Sequence, residues 1–178
     1  MVIQTDADDT IYRGNLLVSL GWRYLFFLFK KRKFLKFLDR LIELPFFYFS
    51  SYFPSYIGTA FIPFKNCPIE LISEIKNPLK RKWLEKVKEL NPSKIIIISH
   101  QEKTILAQFI KNNSEFKKYN FEIIANTAFI ENGNFTGKSK IIITPYTKYG
   151  YIDEKYIYLG DFRDYLLYGR KSKNFIFV

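Results

Sequence analysis

Short apolar runs bounded by polar turn residues recur along the chain and predict a set of buried strands. The predicted strands are residues 2–5, 95–98, 121–125, 141–143, 156–159 and 175–178. The strand over 95–98 ends at Ser99, and Asn132-Gly133-Asn134 predicts a tight turn. These runs indicate a sheet as the centre of the fold.

Helical periodicity lies between several of these strands. Phe34, Phe37, Leu38 and Leu41 repeat at helical spacing, with charged residues on the opposite face. Further helices are predicted over 78–90, with Asn77 as the N-cap, and over 101–111. Strands that alternate with helices favour an α/β fold with a Rossmann-like, mostly parallel sheet and flanking helices.

About 80 residues of different character separate the first strand from the strand at 95. Within them, residues 44–64 form a 21-residue segment without a charge, which is long enough for a membrane span. Pro45, Pro54, Pro63 and Gly58 argue against a simple span, because they break a helix. We expect an aromatic-rich insert, either packed on itself or lying at a membrane interface.

Composition narrows the possible functions. A chain of 178 residues is expected to form one domain, and its lone Cys67 and lone His100 exclude a disulfide and a multi-cysteine or multi-histidine metal site. No signal peptide is recognisable, so a cytoplasmic location is expected, with peripheral membrane attachment left open. Of the net charge of +11, +6 lies in residues 23–40.

Acidic residues follow the first predicted strand directly. Asp6 and Asp8 are two residues apart, so in extended backbone their side chains point the same way. Ligands of open α/β sheets bind at the carboxyl ends of strands, and clustered carboxylates suit a divalent cation such as Mg²⁺. The alternative is an ordinary polar turn, because aspartate is common in turns.

Polar residues also follow two later strands. Ser99 ends the strand over 95–98, either as a site residue or as an N-cap, and Asp161 and Asp164 follow the strand over 156–159. The two aspartates could instead serve only the start of a short helix. Between these strands lie the candidate lysines Lys138 and Lys148.

The order strand–DxDxT, strand–Ser, Lys, strand–GDxxD resembles the haloacid dehalogenase-like (HAD) superfamily. Asn132 to Lys138 is similar to a hairpin of its phosphoserine-phosphatase-like branch. The resemblance implies a catalytic core over residues 1–12 and 93–178. Residues 13–92 would then be an inserted helical cap.

The same resemblance implies phosphatase chemistry. Asp6 would be the nucleophile that forms an aspartyl-phosphate, and Asp8 the general acid and base. The phosphoryl group would be bound by Thr10, Ser99 and Lys148, with Lys138 as the alternative lysine. Mg²⁺ would be held by Asp6, Asp8 and Asp161, with Asp164 nearby; the spacing of Asp161 and Asp164 is one residue shorter than the branch usually has.

The expected substrate is inferred from the insert. Its basic cluster, Lys30, Lys31, Arg32 and Lys33, stands beside aromatic residues, which suits an anionic membrane surface and would steer a phosphorylated substrate. The cap is similar to those of lipid-phosphate phosphatases, so a lipid-linked or membrane-associated phosphate ester is the preferred substrate. The alternatives are a small soluble, phosphoserine-like ester, or an inactive module that binds membrane or nucleic acid. Nucleic acid is not expected as a partner of the enzyme.

Overall fold

The computed structural model describes residues 1–50 and 62–178. In this part of the chain a six-stranded sheet has the order β4-β3-β2-β1-β5-β6. The strands are β1 Val2–Thr5, β2 Lys94–Glu102, β3 Phe121–Glu131, β4 Asn134–Lys140, β5 Ile157–Gly160 and β6 Asn174–Phe177. All neighbours pair in parallel except β3 and β4, which are antiparallel. The predicted α/β class with a mostly parallel Rossmann-like sheet is confirmed.

Helices flank this sheet. They are α1 Leu16–Lys30, α2 Phe34–Ser50, α3 Arg81–Leu90, α4 Lys103–Asn112, α5 Pro145–Tyr151 and α6 Phe162–Tyr168. Short 3-10 turns lie at Ile62–Phe64, Ile69–Glu74 and Ser114–Phe116. Helix α1 begins at the N-cap Asn15, whose side chain accepts a hydrogen bond from the backbone N–H of Val18 (3.1 Å).

One apolar cluster joins the sheet to residues of the predicted insert. Ile3 and Ile97 of the sheet belong to the same buried cluster as Leu20 of α1 and Trp83 of α3. The indole N–H of Trp83 also donates to the hydroxyl of Thr5 at 3.1 Å. The division of the chain stays a prediction, with a catalytic core of residues 1–12 and 93–178 and an insert of 13–92. The packing shows that helices of the insert contribute to the same hydrophobic cluster as the sheet.

Two helices begin later than predicted. The helix expected from residue 78 starts at Arg81, because Asn77 does not cap it: its side chain accepts from the hydroxyl of Ser19 and donates to the carbonyl of Arg13 (both 2.8 Å). The helix expected from residue 101 starts at Lys103. There Glu102 ends β2 and caps α4 by accepting from the N–H of Ile105 at 2.8 Å.

The strand predicted over 141–143 is wrong, and a single side chain explains why. The amide oxygen of Asn126 accepts from the backbone N–H groups of Ile142 (2.9 Å) and Ile143 (2.8 Å), and its N–H₂ group donates to the carbonyl of Ile143 (3.1 Å). These bonds take the place of a strand partner. The segment therefore leads directly into α5.

A second buried amide holds the other end of α5. The side chain of Gln4 in β1 donates to the carbonyl of Tyr151 (3.0 Å) and accepts from the N–H of Asp153 (2.9 Å). Asn126 therefore binds the backbone just before α5, and Gln4 binds the backbone at its end.

Two local expectations concern turns and prolines. The turn at Asn132-Gly133 is confirmed, with φ of 48° and 73° at its two residues, the positive values that a tight hairpin turn requires. Helix α2, by contrast, continues through Pro45 to Ser50, so the expectation that this proline breaks the helix is wrong. The rest of the aromatic segment, residues 51–61, lies outside the described residues.

Across residues 1–50 and 62–178, no helix combines the length and the apolar character that crossing a bilayer requires.

Candidate active site

Three neighbouring strands end at one edge of the sheet and bring the predicted acidic residues together. Asp6 follows β1, Asp161 follows β5, and Ser99 lies near the end of β2. Together they face a cavity of about 140 Å³. Its described lining residues are Asp6, Asp8, Asp9, Ser99, His100, Lys148, Asp161, Arg163, Asp164, Leu167 and Tyr168.

Lys148 is the cation at the centre of this cavity. Its Nζ atom donates to Asp6 Oδ1 at 2.5 Å and to Asp164 Oδ1 at 2.9 Å, and it lies 5.0 Å from the ring centre of Tyr168. Burial opposes the charged form, but the charges of Asp6, Tyr158 and Asp164 and the hydrogen bond to Asp6 together outweigh it, so the pKa of Lys148 is raised. The alternative lysine, Lys138, lies exposed on β4 and does not line the cavity.

Helix α5 positions Lys148. Thr144 and Thr147 form a reciprocal capping box at its first turn, and Pro145 stands at the first helical position, where its missing N–H costs nothing. Lys148 thus reaches the edge of the sheet from a helix of only seven residues. This short helix holds Lys148 with its side chain almost wholly buried.

Asp8 lies in a cage of hydrogen-bond donors. Its carboxylate accepts from the hydroxyl of Tyr12 (2.7 Å), from Nδ2 of Asn15 (3.0 Å) and from Nε2 of Gln101, which lies 2.7 and 2.6 Å from its two oxygens. Burial, and next the charge of Asp6, raise the pKa of Asp8 to about 7, although the bonds from Gln101 and Tyr12 oppose the shift. A carboxyl group with such a pKa can both donate and accept a proton near neutral pH.

The acidic pair after β5 is arranged by a helix cap. Asp161 is the N-cap of α6, and its Oδ1 accepts from the backbone N–H of Asp164 at 2.8 Å. Gly160 permits the close approach, because a Cβ atom there would come within 2.9 Å of the Cβ atom of Asp164. Burial and the charge of Asp6 raise the pKa of Asp164. The three-residue spacing is thus that of an N-cap and the third residue of its helix, and both aspartates reach the cavity.

The oxygen donors at this edge fit a hard divalent cation in their chemistry. Oδ2 of Asp164 is buried and has no hydrogen-bond partner, and Asp6 and Asp161 line the same cavity. Within the described part of the chain, no three histidine, cysteine or acidic side chains converge into a metal cluster of their own. Mg²⁺ does not require one, because it is usually bound by one or two carboxylates together with waters and substrate phosphate.

The two predicted hydroxyl residues differ in position. Ser99 lines the cavity, and its Oγ accepts from the backbone N–H of Gln101 at 3.1 Å. Thr10 is fully buried, and its hydroxyl has no hydrogen-bond partner among the described residues. Thr10 is not among the residues described as lining the cavity, so its position suits support of the loop rather than contact with a phosphoryl group.

Sequence reasoning missed several residues of the site. Gln101 lies two residues beyond Ser99 on β2, and this spacing, which places both on one face of a strand, was the available signal. His100 lines the cavity, and burial, followed by the charge of Lys148, lowers its pKa to about 3, so its ring is neutral at physiological pH. No pattern in the sequence indicated Tyr12 or Asn15 as site residues.

Comparisons with solved structures establish the fold. A substrate-bound phosphoserine phosphatase complex matches 99% of this chain and 84% of its own, with 14% identity and a TM-score of 0.66. A phosphoserine phosphatase from T. onnurineus matches 99% of this chain and 82% of its own, with 16% identity and a TM-score of 0.56. A HAD family hydrolase from Salmonella enterica subsp. enterica serovar Typhi matches 96% of this chain and 59% of its own, with 14% identity and a TM-score of 0.60.

The fold is therefore that of the HAD-like hydrolases. Within that class it is shared with phosphoserine phosphatases, so the resemblance inferred from the sequence motifs is confirmed at the level of the fold. No protein-family model matches the sequence, and no curated protein matches it either.

Proposed function

We propose that the protein is a Mg²⁺-dependent phosphomonoesterase that acts through an aspartyl-phosphate on Asp6. The observation that carries this proposal is the bridge from Lys148 to Asp6 and Asp164, beside the hydrogen-bonded carboxyl group of Asp8. A nucleophilic carboxylate, a fixed cation and a proton donor are the groups that phosphoryl transfer requires.

In the first half of the proposed reaction, a carboxylate oxygen of Asp6 attacks the phosphorus atom in line with the ester bond. The bond between phosphorus and the ester oxygen breaks, and Asp8 gives its proton to that oxygen as the alcohol leaves. In the second half, Asp8 removes a proton from water, the water oxygen attacks phosphorus, and the bond to Asp6 breaks. Inorganic phosphate is released and both aspartates return to their first state.

The remaining residues of the site stabilise charge. Lys148 neutralises negative charge on the phosphoryl oxygens and on Asp6, and the hydroxyl of Ser99 donates to a phosphoryl oxygen. Asp6, the carbonyl of Asp8 and Asp161 would hold Mg²⁺, with Asp164 beside them. Bound there, the cation would supply further stabilisation of the phosphoryl charge.

The test is hydrolysis of 4-nitrophenyl phosphate with and without Mg²⁺. We expect turnover that chelation by EDTA abolishes and that Asp6→Asn lowers by at least about 100-fold, because the nucleophile is removed. Asp39→Asn, which changes an exposed aspartate of α2, is the matched control and should keep wild-type turnover. Absence of Asp6-dependent turnover would favour an inactive binding module instead.

We further propose that the preferred substrate is a lipid-linked or membrane-associated phosphate ester. The basic cluster, Lys30, Lys31, Arg32 and Lys33, forms the exposed turn between α1 and α2. Lys30 and Lys31 lie 4.7 and 5.9 Å from the ring centres of Phe26 and Phe27. At about 1 kcal/mol per basic residue near an anionic surface, the four charges would supply about 4 kcal/mol at low salt.

Large apolar side chains around this turn support the proposal. On α1 and α2 the exposed ones are Trp22, Phe26, Phe29, Phe34, Leu35, Leu38, Leu41 and Ile42. Leu35, two residues after the basic cluster, keeps 80% of its surface exposed. Exposed apolar surface of this extent, rimmed by lysine and arginine, is typical of a site that binds a membrane interface.

The arrangement of the cavity agrees with a large substrate. Its described lining residues belong to the loop after β1 and to the core, and none comes from α1, α2 or α3. Leu167 of α6 lines the cavity and keeps 50% of its surface exposed. An exposed apolar side chain in the wall of a charged cavity suits an ester whose phosphate enters the cavity while its apolar part stays outside.

Vesicle binding tests the membrane part of the proposal. We expect sedimentation with vesicles of phosphatidylcholine and phosphatidylglycerol, and much less with phosphatidylcholine alone. A variant in which the basic cluster is changed to glutamine should lose most of this binding. The control removes the same charge from four exposed lysines elsewhere, Lys117, Lys118, Lys138 and Lys140, and should bind well. Equal binding by both variants would contradict the assignment of the membrane surface.

A phosphate-release assay tests the substrate itself. We expect faster release from phosphatidic acid in vesicles than from phosphoserine or glycerol 3-phosphate at equal phosphate concentration. A higher rate with the soluble esters would instead support the alternative, a phosphatase of small metabolites.

A further inference from the structure

The carboxyl group of Asp8 is held by side chains from two separate parts of the chain. Tyr12 and Asn15 lie four and seven residues after Asp8, in the loop that follows β1. Gln101 is 93 residues away in sequence and belongs to β2. Since Tyr12 and Asn15 belong to the loop that carries Asp8, Gln101 is the contact that ties this carboxyl group to the neighbouring strand.

Gln101 is held firmly in place. Only 1% of its surface is exposed, and its backbone N–H donates to the hydroxyl oxygen of Ser99 at 3.1 Å. Its Nε2 atom lies almost equally far from the two oxygens of Asp8, at 2.7 and 2.6 Å. Together with Tyr12 on Oδ1 and Asn15 on Oδ2, this donor fixes the orientation of the carboxyl group as well as its position.

We propose that Gln101 is a positioning residue, which orients the carboxyl group of Asp8 toward the ester oxygen that leaves. This inference rests on the proposed phosphatase activity and goes beyond it, because it assigns to β2 the control of proton transfer. Proton donation requires a heavy-atom distance of about 3 Å to the leaving oxygen, so a rotated carboxyl group donates poorly.

The test compares leaving groups that need protonation to different degrees. 4-Nitrophenolate leaves readily without a proton, whereas the alkoxide of a simple alkyl phosphate requires one. We expect Gln101→Met, which keeps the length of the side chain but removes its donors, to lower kcat/KM for the alkyl phosphate at least about tenfold more than for 4-nitrophenyl phosphate. The value of kcat/KM is used because it reports the steps up to formation of the aspartyl-phosphate.

Two comparisons make the result decisive. Gln108→Met makes the same change on a half-buried glutamine of α4, whose amide donates to Asn112, and should leave the ratio of the two kcat/KM values unchanged. An equal decrease for both substrates in Gln101→Met would show a general loss of structure and overturn the inference, as would an unchanged ratio. Inactive wild-type protein would instead refute the phosphatase activity itself, so the two failures are distinguishable.

Discussion

Replacing Lys148 by methionine would leave two buried carboxylates without their shared cation. The side chains of Asp6 and Asp164 are only 12% and 8% exposed, so water from the cavity that they line replaces the ammonium group only in part. Breaking a buried ion pair by removing one partner typically costs about 3–5 kcal/mol. We therefore expect the free energy of unfolding to fall by about 3 kcal/mol or more in the absence of Mg²⁺.

Urea denaturation in EDTA measures this loss. With an m-value of about 2 kcal/mol per molar urea, a loss of 3 kcal/mol lowers the midpoint by about 1.5 M. Methionine has nearly the length of lysine, so the lost charge and not a cavity should dominate. The loss should also be smaller at about pH 5 than at about pH 8, because Asp164, whose pKa is raised to about 7 by burial and by the charge of Asp6, can then take up a proton.

The lysine that sequence reasoning left as the alternative provides the control. Lys138 is exposed on β4, so Lys138→Met should change stability by less than about 0.5 kcal/mol and leave kcat/KM for 4-nitrophenyl phosphate unchanged. Lys148→Met should lower kcat/KM by about 100-fold or more. A wild-type urea midpoint for Lys148→Met, or a comparable loss of activity in Lys138→Met, would refute the reasoning.

Three further predictions concern the elements that support the site. Asn126→Ala should lower the free energy of unfolding by about 3 kcal/mol in urea denaturation, because it leaves the N–H groups of residues 142 and 143 without acceptors. Gly160→Ala should cost about 1–3 kcal/mol in thermal unfolding, since its new Cβ would lie 2.8 Å from the ring of Phe175, and an unchanged Tm would contradict that crowding. Burial raises the pKa of Glu102, so the folded state binds its proton more tightly, and stability should decline as the pH rises above the ordinary value of 4.5. Glu102→Gln removes this titration, and its urea midpoint should decline less steeply with pH than that of the wild type.

The sheet and its acidic edge were predictable from the sequence because both rest on local signals. Apolar runs mark β1, β2 and β5, and the residues that follow them have to meet where parallel strands end. The positions of Asp6, Asp8 and Asp161 around one cavity follow from that rule. Their chemical roles stay predictions.

The features that could not be predicted depend on contacts between distant residues. Isoleucines 141–143 have strand propensity, yet the amide of Asn126 satisfies their backbone and prevents a strand. Asn77 has the composition of an N-cap, yet its amide is used by Arg13 and Ser19. The bond from Gln101 to Asp8 spans 93 residues, and no pattern within a single sequence encodes such a pair.

The side-chain hydrogen bonds of Asn126 and Gln4 at the two ends of α5 have a consequence for the dynamics of the protein. No strand lies directly before or after this helix, since residues 141–144 and 152–156 are not strands. Its attachment to the sheet therefore consists of side-chain contacts: the hydrogen bonds of Asn126 and Gln4, the ion pairs of Lys148, and the apolar packing of Ile143 and Ile152. Segments with few ladder hydrogen bonds open more readily than the core, as separate cooperative units. Native-state hydrogen exchange should therefore show residues 142–151 exchanging together and ahead of β1 and β2. Each such opening would carry Lys148 away from Asp6, so the rate at which the cation returns would be a property of this unit and not of global folding.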